Sequence, residues 1–330
     1  MSMNSENTSS PCHLPRGRLA PSPTGAQHVG NARTYLIAWL SARRRGGRVA
    51  LRIEDIDSPR VKPGADRQAG DDLHWLGLDW DEGPLVQTAR LPLYHAALTQ
   101  LREREQVYPC TCTRSDVERA ASAPHIEQEG PVYPGTCAGR RAGDAETLGD
   151  RPYCWRFRVP VNSPSFVDQF RGPSHIDLRT VGDFVVWKAP RPGVAAGTPA
   201  YQLAVVVDDA AQGVTEVVRG DDLIPSTPRQ LLLYEALGLT PPAFIHVPLV
   251  VGPDGRRLAK RHGDTRLSAL REAGVRPEML LGLLAWSCGW LASIEPITAR
   301  ELCPLFRLAT IPREPFVLTP ELLRRIGYTA

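Results

Sequence analysis

Small and polar residues that could bind a phosphate lie in the segment RLAPSPTGAQHVGN, which runs from Arg18 to Asn31. This proline- and glycine-rich loop leads directly into a helix pattern, and the free N–H groups and dipole at a helix N-terminus favour an anion. His28 could donate a further hydrogen bond to that anion. The small residues that would let a phosphate approach the backbone are Ser22, Thr24, Gly25 and Gly30. Because such loops are also ordinary turns, the segment alone leaves both interpretations open.

Acidic residues follow the next predicted element. The segment RVALRI, residues 48–53, alternates apolar and other residues as a strand does, and Glu54, Asp55 and Asp57 come directly after it. Ligands of parallel α/β sheets bind beyond the carboxyl ends of the strands, so Glu54 is placed where it could meet a ligand. An acidic strand end that only faces water is the alternative.

Three of the seven cysteines are clustered together with a tyrosine. Cys110 and Cys112 are followed after twenty residues by Tyr133 and then Cys137. Two close cysteines and a distant third suit a tetrahedral zinc site with tyrosine as an unusual fourth ligand, although free thiols remain the alternative. The other cysteines, which we expect in the N-terminal tail or the core, are Cys12, Cys154, Cys288 and Cys303.

The elements that must position these residues begin as a β-α-β unit. The helix after the loop carries an apolar stripe, and residues 63–76 and the segment LPLYHAALTQLRE also predict helices. Between residues 106 and 200 the pattern changes to short strand-like pieces, which indicate an antiparallel β insertion.

The parallel sheet is expected to resume at Tyr201. The apolar run YQLAVVVDD predicts a buried parallel strand, and VTEVVRGDDL predicts a second strand that ends near Arg219. A helix that ends at Gly238 follows. Residues 266–330 are expected to be helical, with a capping box at residues 298–301 and a further helix start at Thr319-Pro320-Glu321.

Composition gives weaker constraints. The chain has 330 residues, a formal net charge of +3 and 42% hydrophobic residues, which is enough for one large or two to three smaller globular units. Residues 1–16 form a polar tail without the apolar region of a signal peptide. The longest strongly apolar run, residues 279–286, is too short to span a bilayer, so we expect a cytoplasmic protein.

Five separated segments resemble, in order, the motifs of the class I glutamyl-tRNA synthetases. They are RLAPSPTG with HVG, the strand that ends in IEDID, YQLAVVVDD, VVRGDDL and RLAKRHG. The resemblance covers about residues 18–270. It is strongest to a shortened branch of the family that activates glutamate with ATP and attaches it to the queuosine base in the anticodon of tRNA(Asp).

This resemblance implies a class I, Rossmann-type parallel sheet with a β-rich, zinc-bearing insertion and a C-terminal helical region. The implied division of the chain is a tail at 1–16, the two halves of the catalytic domain at 17–105 and 201–265, an acceptor-type insertion at 106–200 and a helical, stem-contact-like region at 266–330.

The resemblance also implies the catalytic and ATP-binding residues. HVG corresponds to the start of the family's "HIGH" signature and RLAKR at 257–261 to its "KMSKS" signature, with Asn31, Arg257 and Ala259 as departures. His28 and Lys260 are the implied catalytic residues. The residues implied to bind ATP, with its Mg²⁺, are Thr24, Gly25, His28, Gly30 and Lys260. These departures would change the flexibility of the loop that carries Lys260 and the rate of adenylation.

A glutamate ligand needs cationic partners for two carboxylates and an acid for its ammonium group. The resemblance implies that Arg18 and Arg219 face the carboxylates and that Glu54 faces the ammonium. Which arginine binds which carboxylate stays open. The complete set of implied glutamate-binding residues is Arg18, Leu19, Ala20, Pro21, Ser22, Glu54, Tyr201 and Arg219.

The shortened branch carries a similar Cys-Cys-Tyr-Cys set, which implies one Zn²⁺ per chain. Because the gap before Tyr133 is longer than is usual for that branch, His125 is the substitute for the fourth ligand.

Only 65 residues follow residue 265, too few for a further domain of about 100 residues that would bind an anticodon. This short C-terminal region favours the shortened branch, whose partners would be ATP, L-glutamate and the anticodon stem-loop of tRNA(Asp). We also expect a monomer.

Two other functions stay open at this point. One is a minimal synthetase that charges the 3′ end of tRNA(Glu). The other is a non-catalytic tRNA-binding paralogue, which His28, Lys260, Glu54 and the two arginines argue against.

Overall fold

The regular structure begins with a parallel three-stranded sheet of order β1–β2–β3. The computed structural model describes residues 14–23, 26–56, 61, 64–120, 132–161, 165–175, 177, 181–190, 196–258 and 264–329. The strands are β1 (Arg16–Leu19), β2 (Arg48–Ile53) and β3 (Glu82–Val86). The helices that connect and follow them are α1 (Val29–Arg43), α2 (Ala65–Trp75) and α3 (Leu91–Glu103), each where the sequence predicts one.

Helix α1 starts at a defined cap. The backbone N–H of Gly30 donates to the His28 ring, and the His28 N–H donates to the side chain of Asn31, which together form a capping box. The predicted apolar stripe of the helix is confirmed, because Ala32, Leu36 and Trp39 are buried in the core between sheet and C-terminal region.

The second half of the sheet contains β10 (Glu216–Gly220) and β11 (Ala243–Val247), which pair in parallel. The N–H of Thr215 donates to the carbonyl of Arg16 at 2.9 Å, so β10 starts beside β1. The helix α6 (Thr227–Leu237) connects the two strands and ends at Gly238, whose φ of +68° is the left-handed conformation that glycine adopts readily.

The prediction of a strand at YQLAVVVDD is wrong. Tyr201–Ala211 forms the helix α5, which packs between α3, α6 and the insertion. Four consecutive apolar residues, 203–206, are buried, and Asp208 and Asp209 are buried as well. A helix that is buried on nearly all sides has no polar face, so its apolar run cannot be told from a buried strand by periodicity.

The insertion is antiparallel, as predicted. Its main sheet has the order β4–β5–β8–β9, with β4 (Val107–Cys110), β5 (Cys154–Phe157), β8 (Phe184–Lys188) and β9 (Thr198–Pro199). The short helix α4 (Arg114–Ala120) follows β4, and β6 (Ser165–Asp168) and β7 (Gly172–His175) form a separate hairpin. That hairpin lies against β11, since the Gln169 N–H donates to the carbonyl of Phe244 at 2.9 Å.

The C-terminal region carries the predicted helices and one strand. The helices are α7 (Leu267–Glu272), α8 (Pro277–Ser287), α9 (Ala299–Leu302) and α10 (Pro320–Arg325). Thr298 and Thr319 cap α9 and α10 with their side chains, which confirms both predicted helix starts. The strand β12 (Val250–Val251) pairs in parallel with β13 (Phe316–Val317), which the sequence did not predict. Among the residues that the structure describes, none of the helices could cross a membrane.

Candidate active site

A cavity of about 430 Å³ opens beside the N-terminus of α1, at the carboxyl ends of β1, β2 and β10. This is where parallel α/β sheets bind ligands. The predicted site residues that line it are Arg18, Ala20, His28, Gly30, Glu54, Tyr201 and Arg219. Residues that are far apart in the sequence therefore meet in one pocket.

Other predicted site residues lie away from the cavity wall. Leu19 is fully buried in the core. The carbonyl of Pro21 accepts from the Glu54 N–H at 3.0 Å, and the Ser22 hydroxyl donates to the Glu54 carbonyl at 3.3 Å. These two residues thus fix the loop to the end of β2.

Four predicted site residues fall outside the described part of the chain, as does Cys12. They are Thr24, Gly25, His125 and Lys260. The described part of the RLAKR segment reaches the cavity, because Arg257 and Leu258 line it.

His28 lies at the cavity wall in one defined tautomer. Its Nδ1 accepts from the Gly30 N–H at 3.1 Å, so the ring proton is on Nε2. Burial, and then the charge of Arg257, lower the pKa of the His28 imidazole below its ordinary value. The side chain is therefore a neutral hydrogen-bond donor at neutral pH.

Arg219 is held from two sides. Its Nε donates to His246 Nε2 at 2.9 Å, and its Nη2 donates to the Thr227 hydroxyl at 2.9 Å. The third nitrogen, Nη1, is buried and has no hydrogen-bond partner among the described residues. A buried, unpaired donor in a cavity wall suits an anionic ligand.

Arg18 and Glu54 belong to a buried charge network around Arg52. Arg52 is fully buried and donates through Nη2 to Glu54 at 2.9 Å and through Nη1 to Asp209 at 2.7 Å. Arg18 lies 3.6 Å from the same Asp209 carboxylate and donates to the carbonyl of Val218 at 3.0 Å. The bonds from Arg52 use only Oε1 of Glu54.

Tyr201 is the first residue of α5 and not the start of a strand. It lines the cavity, and 37% of its surface is exposed. Loss of hydration raises the pKa of its hydroxyl, and the charge of Arg219 opposes this shift. The hydroxyl is therefore protonated at neutral pH and can donate a hydrogen bond.

Arg257 and Asp222 form an ion pair at the cavity wall. Arg257 begins the RLAKR segment, and its partner Asp222 lies two residues after the end of β10. The pair ties the start of the lysine loop to the loop after β10.

The clustered cysteines meet in the insertion. The sulfur atoms of Cys110, Cys112 and Cys137 all lie within 4.8 Å of one another, and the Cys112 and Cys137 sulfurs are 3.7 Å apart. Zinc–sulfur bonds of about 2.3 Å in a tetrahedron put two sulfurs about 3.8 Å apart, so the spacing fits zinc.

Tyr133 completes the cluster. Its hydroxyl oxygen lies 3.3 Å from the Cys110 sulfur and 3.6 Å from the Cys112 sulfur. In a tetrahedral site, oxygen and sulfur ligands stand about 3.5 Å apart, so this oxygen also fits as a ligand. The donor set of three sulfurs and one oxygen could hold a metal ion.

Two neighbours prepare Cys110 as a thiolate. Cys154 lies opposite Cys110 in the β4–β5 pairing and donates to its sulfur, as does Arg156 through Nε at 3.3 Å. The hydrogen bond from Cys154 is the largest of the effects that hold the pKa of Cys110 well below its ordinary value. Cys154 is thus a core thiol that contacts the cluster.

The sequence did not point to several residues that support the cavity. Arg52, Asp209, Asp168 and His246 all contact a predicted site residue directly or through one neighbour. Asp209 ends the YQLAVVVDD segment, whereas no short motif marks the other three. The only local signal is the charged Arg52 within an apolar strand, since a fully buried arginine requires buried acidic partners.

Comparisons with known proteins identify the family of the chain. The sequence family described as "tRNA synthetases class I (E and Q), catalytic domain" matches residues 16–306. A glutamyl-Q tRNA(Asp) synthetase from Rhodopirellula baltica is 57% identical over 82% of this chain and 84% of its own length. Another protein of that name, from Symbiobacterium thermophilum, is 50% identical over 94% of this chain and 98% of its own length.

A solved structure shows the same fold. The glutamate tRNA ligase of Elizabethkingia meningosepticum is 26% identical and superposes with a TM-score of 0.79 over 94% of this chain and 68% of its own. With the sequence matches, this likeness establishes that the chain belongs to the class I glutamyl- and glutaminyl-tRNA synthetase family, within the group of glutamyl-Q tRNA(Asp) synthetases.

Proposed function

We propose that the chain activates L-glutamate with ATP to glutamyl-adenylate, without tRNA, and transfers the glutamate to queuosine in the anticodon of tRNA(Asp). The observation that carries the proposal is the single cavity in which Arg18, Arg219 and Glu54 lie beside His28. Two cations and one carboxylate match the charges of glutamate. The relatives named glutamyl-Q tRNA(Asp) synthetase support the acceptor.

In this proposal glutamate binds between β1 and β10. Nη1 of Arg219 would pair with one carboxylate, since this buried nitrogen makes no other hydrogen bond with the described residues. Arg18 would pair with the other carboxylate, and Oε2 of Glu54 with the ammonium, because Arg52 already uses Oε1. The hydroxyl of Tyr201 would add a hydrogen bond. Ala20, Pro21 and Ser22 would shape the loop around the ligand, and Leu19 would anchor that loop at the end of β1.

Adenylation joins a glutamate carboxylate oxygen to the α-phosphorus of ATP and releases pyrophosphate. Charge grows on the phosphate oxygens in the transition state, so positioned donors lower the barrier. The Nε2–H of His28 and the ammonium group of Lys260 would supply them. Thr24, Gly25 and Gly30 would line the nucleotide, and Mg²⁺ would enter with ATP.

We infer that the metal is one Zn²⁺ per chain, held by Cys110, Cys112, Tyr133 and Cys137. The distances among these atoms support four ligands without His125. A closed site of this kind is structural, because no ligand position is left for a substrate. The zinc would therefore hold the loops of the insertion and take no part in the reaction.

The tRNA partner is proposed to bind through its anticodon stem-loop. Unpaired anticodon bases can be turned out of the loop and enter a pocket, and the queuosine ring carries hydroxyl groups that could attack the adenylate. That attack would form an ester and release AMP.

We also propose that the chain acts as a cytoplasmic monomer. Its domains would have the bounds that the sequence indicates, with the insertion at residues 106–200.

Transfer of labelled glutamate tests the acceptor. Three RNAs are compared: tRNA(Asp) with queuosine, tRNA(Asp) without it, and tRNA(Glu). Of these three, we expect label only on tRNA(Asp) with queuosine. A queuosine-containing anticodon stem-loop, which has no CCA end, should also be labelled. Binding should weaken with salt, as phosphate contacts do. Label released with the 3′-terminal adenosine would instead identify a minimal tRNA(Glu) synthetase, and no adenylate formation would identify a non-catalytic paralogue.

A further inference from the structure

A chain of buried hydrogen bonds leads from the insertion to the proposed glutamate pocket. Asp168, at the end of β6, holds Nδ1 of His246 at 2.6 Å. Nε2 of the same imidazole faces Nε of Arg219 at 2.9 Å and the Thr227 hydroxyl at 3.2 Å. All three side chains are at least nine-tenths buried, so the contacts are shielded from water.

We propose that Asp168 and His246 are positioning residues that orient Arg219 for the carboxylate of glutamate. The inference rests on the proposed function and deepens it. Neither residue lines the cavity among the described residues, so both would act through Arg219.

The direction of each hydrogen bond follows from the chemistry of the groups. Arg219 can only donate, so Nε2 of His246 must accept and cannot carry a proton. The imidazole proton must therefore be on Nδ1, where the carboxylate of Asp168 accepts it. Asp168 thus selects the one tautomer of His246 that can hold Arg219.

Besides His246, Arg219 is anchored at Nη2. Nη2 is held by the Thr227 hydroxyl at 2.9 Å, while Nη1 has no hydrogen-bond partner among the described residues. One bond at Nε and one at Nη2 fix the plane of the guanidinium. Nη1 is then the nitrogen left for the ligand, in a fixed direction.

Asp168 is itself held rigidly. Its Oδ1 accepts from the N–H groups of Phe170 and Arg171 at 2.9 and 2.7 Å, which closes the β6–β7 hairpin. Arg171 also forms an ion pair with Asp221, at the start of the loop after β10. The hairpin of the insertion therefore supports the pocket from behind.

The replacement Asp168→Asn tests the tautomer directly. The amide oxygen can keep the two hairpin N–H groups and, at 3.3 Å, the backbone N–H of His246, but the amide NH₂ then faces the His246 imidazole. It would donate to Nδ1 and move the imidazole proton to Nε2, opposite the donor of Arg219. We expect the KM for glutamate in ATP–pyrophosphate exchange to rise about 10- to 100-fold, the effect of losing one hydrogen bond to a charged group. The KM for ATP should stay within about threefold, because the fold and His28 are unchanged.

His246→Gln separates positioning from a merely structural role. Its amide oxygen can accept from Arg219 whatever residue 168 is, since an amide has no tautomer to select. Asp168→Asn should therefore raise the glutamate KM by less than about threefold in the His246→Gln background. An equal effect in both backgrounds would overturn the inference, because loss of hairpin stability does not depend on His246.

The matched control is Asp183→Asn. Asp183 lies in the same insertion and accepts from Tyr108 at 2.6 Å and from the Val159 N–H at 2.8 Å, but not from a pocket residue. Its glutamate KM should stay within about twofold of the unchanged protein. If Asp168→Asn does not fold, His246→Leu is compared with His246→Gln. An equal glutamate KM for these two would also overturn the inference.

The unchanged protein separates the two levels of the proposal. Glutamate-dependent exchange that Asp168→Asn leaves unaltered would overturn the positioning role alone. No glutamate-dependent exchange by the unchanged protein would overturn the proposed function and the inference with it.

Discussion

The backbone N–H of Gly30 donates to Nδ1 of His28 at 3.1 Å, inside the first turn of α1. The bond places the ring proton on Nε2, at the cavity wall. Gly30 has no side chain, and a Cβ at this position would lie 2.9 Å from Cε1 and 3.0 Å from Nδ1 of the imidazole. The position of the proposed catalytic histidine thus depends on a glycine two residues later.

Gly30→Ala should displace the His28 ring and slow adenylation. A donor that leaves its place beside a developing charge typically costs about 10²–10³ in rate. We expect a loss in kcat for ATP–pyrophosphate exchange of at least about tenfold, since a displaced ring can retain part of its effect. Gly70→Ala in α2 is the control, because among the described residues no atom outside its chain neighbours and its own helix backbone lies within 4 Å of the added carbon. Equal kcat values for the two variants would contradict the dependence on Gly30.

Lys260→Ala should lower kcat strongly and change the KM for glutamate much less. The ammonium group is proposed to meet charge that appears only in the transition state. Exchange kinetics with Arg256→Ala as a nearby basic control measure this. Near-normal turnover of Lys260→Ala would remove the lysine from the mechanism.

The purified protein should contain about one zinc per chain, measured by elemental analysis. The double variant Cys112→Ala Cys137→Ala removes two thiolates and should lose the metal, whereas Cys303→Ala, outside the cluster, should retain it. Tyr133→Phe keeps the ring and removes the oxygen, so it should bind zinc more weakly. Full occupancy in the double variant would show that the metal is held elsewhere.

Burial lowers the pKa of His246 below its ordinary value of 6.5. The hydrogen bond to Asp168 opposes this shift, and the charge of Arg219 adds to it. Below pH 6.5 the unfolded chain then binds more protons than the folded one. The free energy of unfolding should therefore fall as the pH drops from 6.5 towards the folded-state pKa. His246→Gln should make this fall less steep, as urea unfolding at about pH 7.5 and about pH 5.5 would measure. An unchanged slope would show that His246 does not contribute.

Most elements of the fold follow from local patterns in the sequence. The caps at Thr298 and Thr319 and the stop at Gly238 are examples, because each depends on one or two neighbouring residues. Helix α5 was mispredicted for the opposite reason. Its apolar run is surrounded by α3, α6 and the insertion, and contacts with distant segments outweighed the strand preference of its valines.

The proposed site shows the same division. Motifs in order identified Arg18, Glu54 and Arg219, and the cavity contains all three. Asp168, His246 and Arg219 are separated by 78 and 27 positions, and no spacing rule joins them. Their relation depends on the packing of the β6–β7 hairpin against β11, which only the three-dimensional structure provides.

The buried network of Arg52 also limits how this protein can evolve. Arg52 is shared by Glu54, Asp209 and Gln212, and neither Arg52 nor Asp209 has appreciable contact with water. Losing one partner would leave an uncompensated buried charge at a cost of about 3–5 kcal/mol. Exchange of residue 52 or 209 alone is therefore costly, and we expect these two positions to covary among related proteins together with their further partners Glu54 and Arg18.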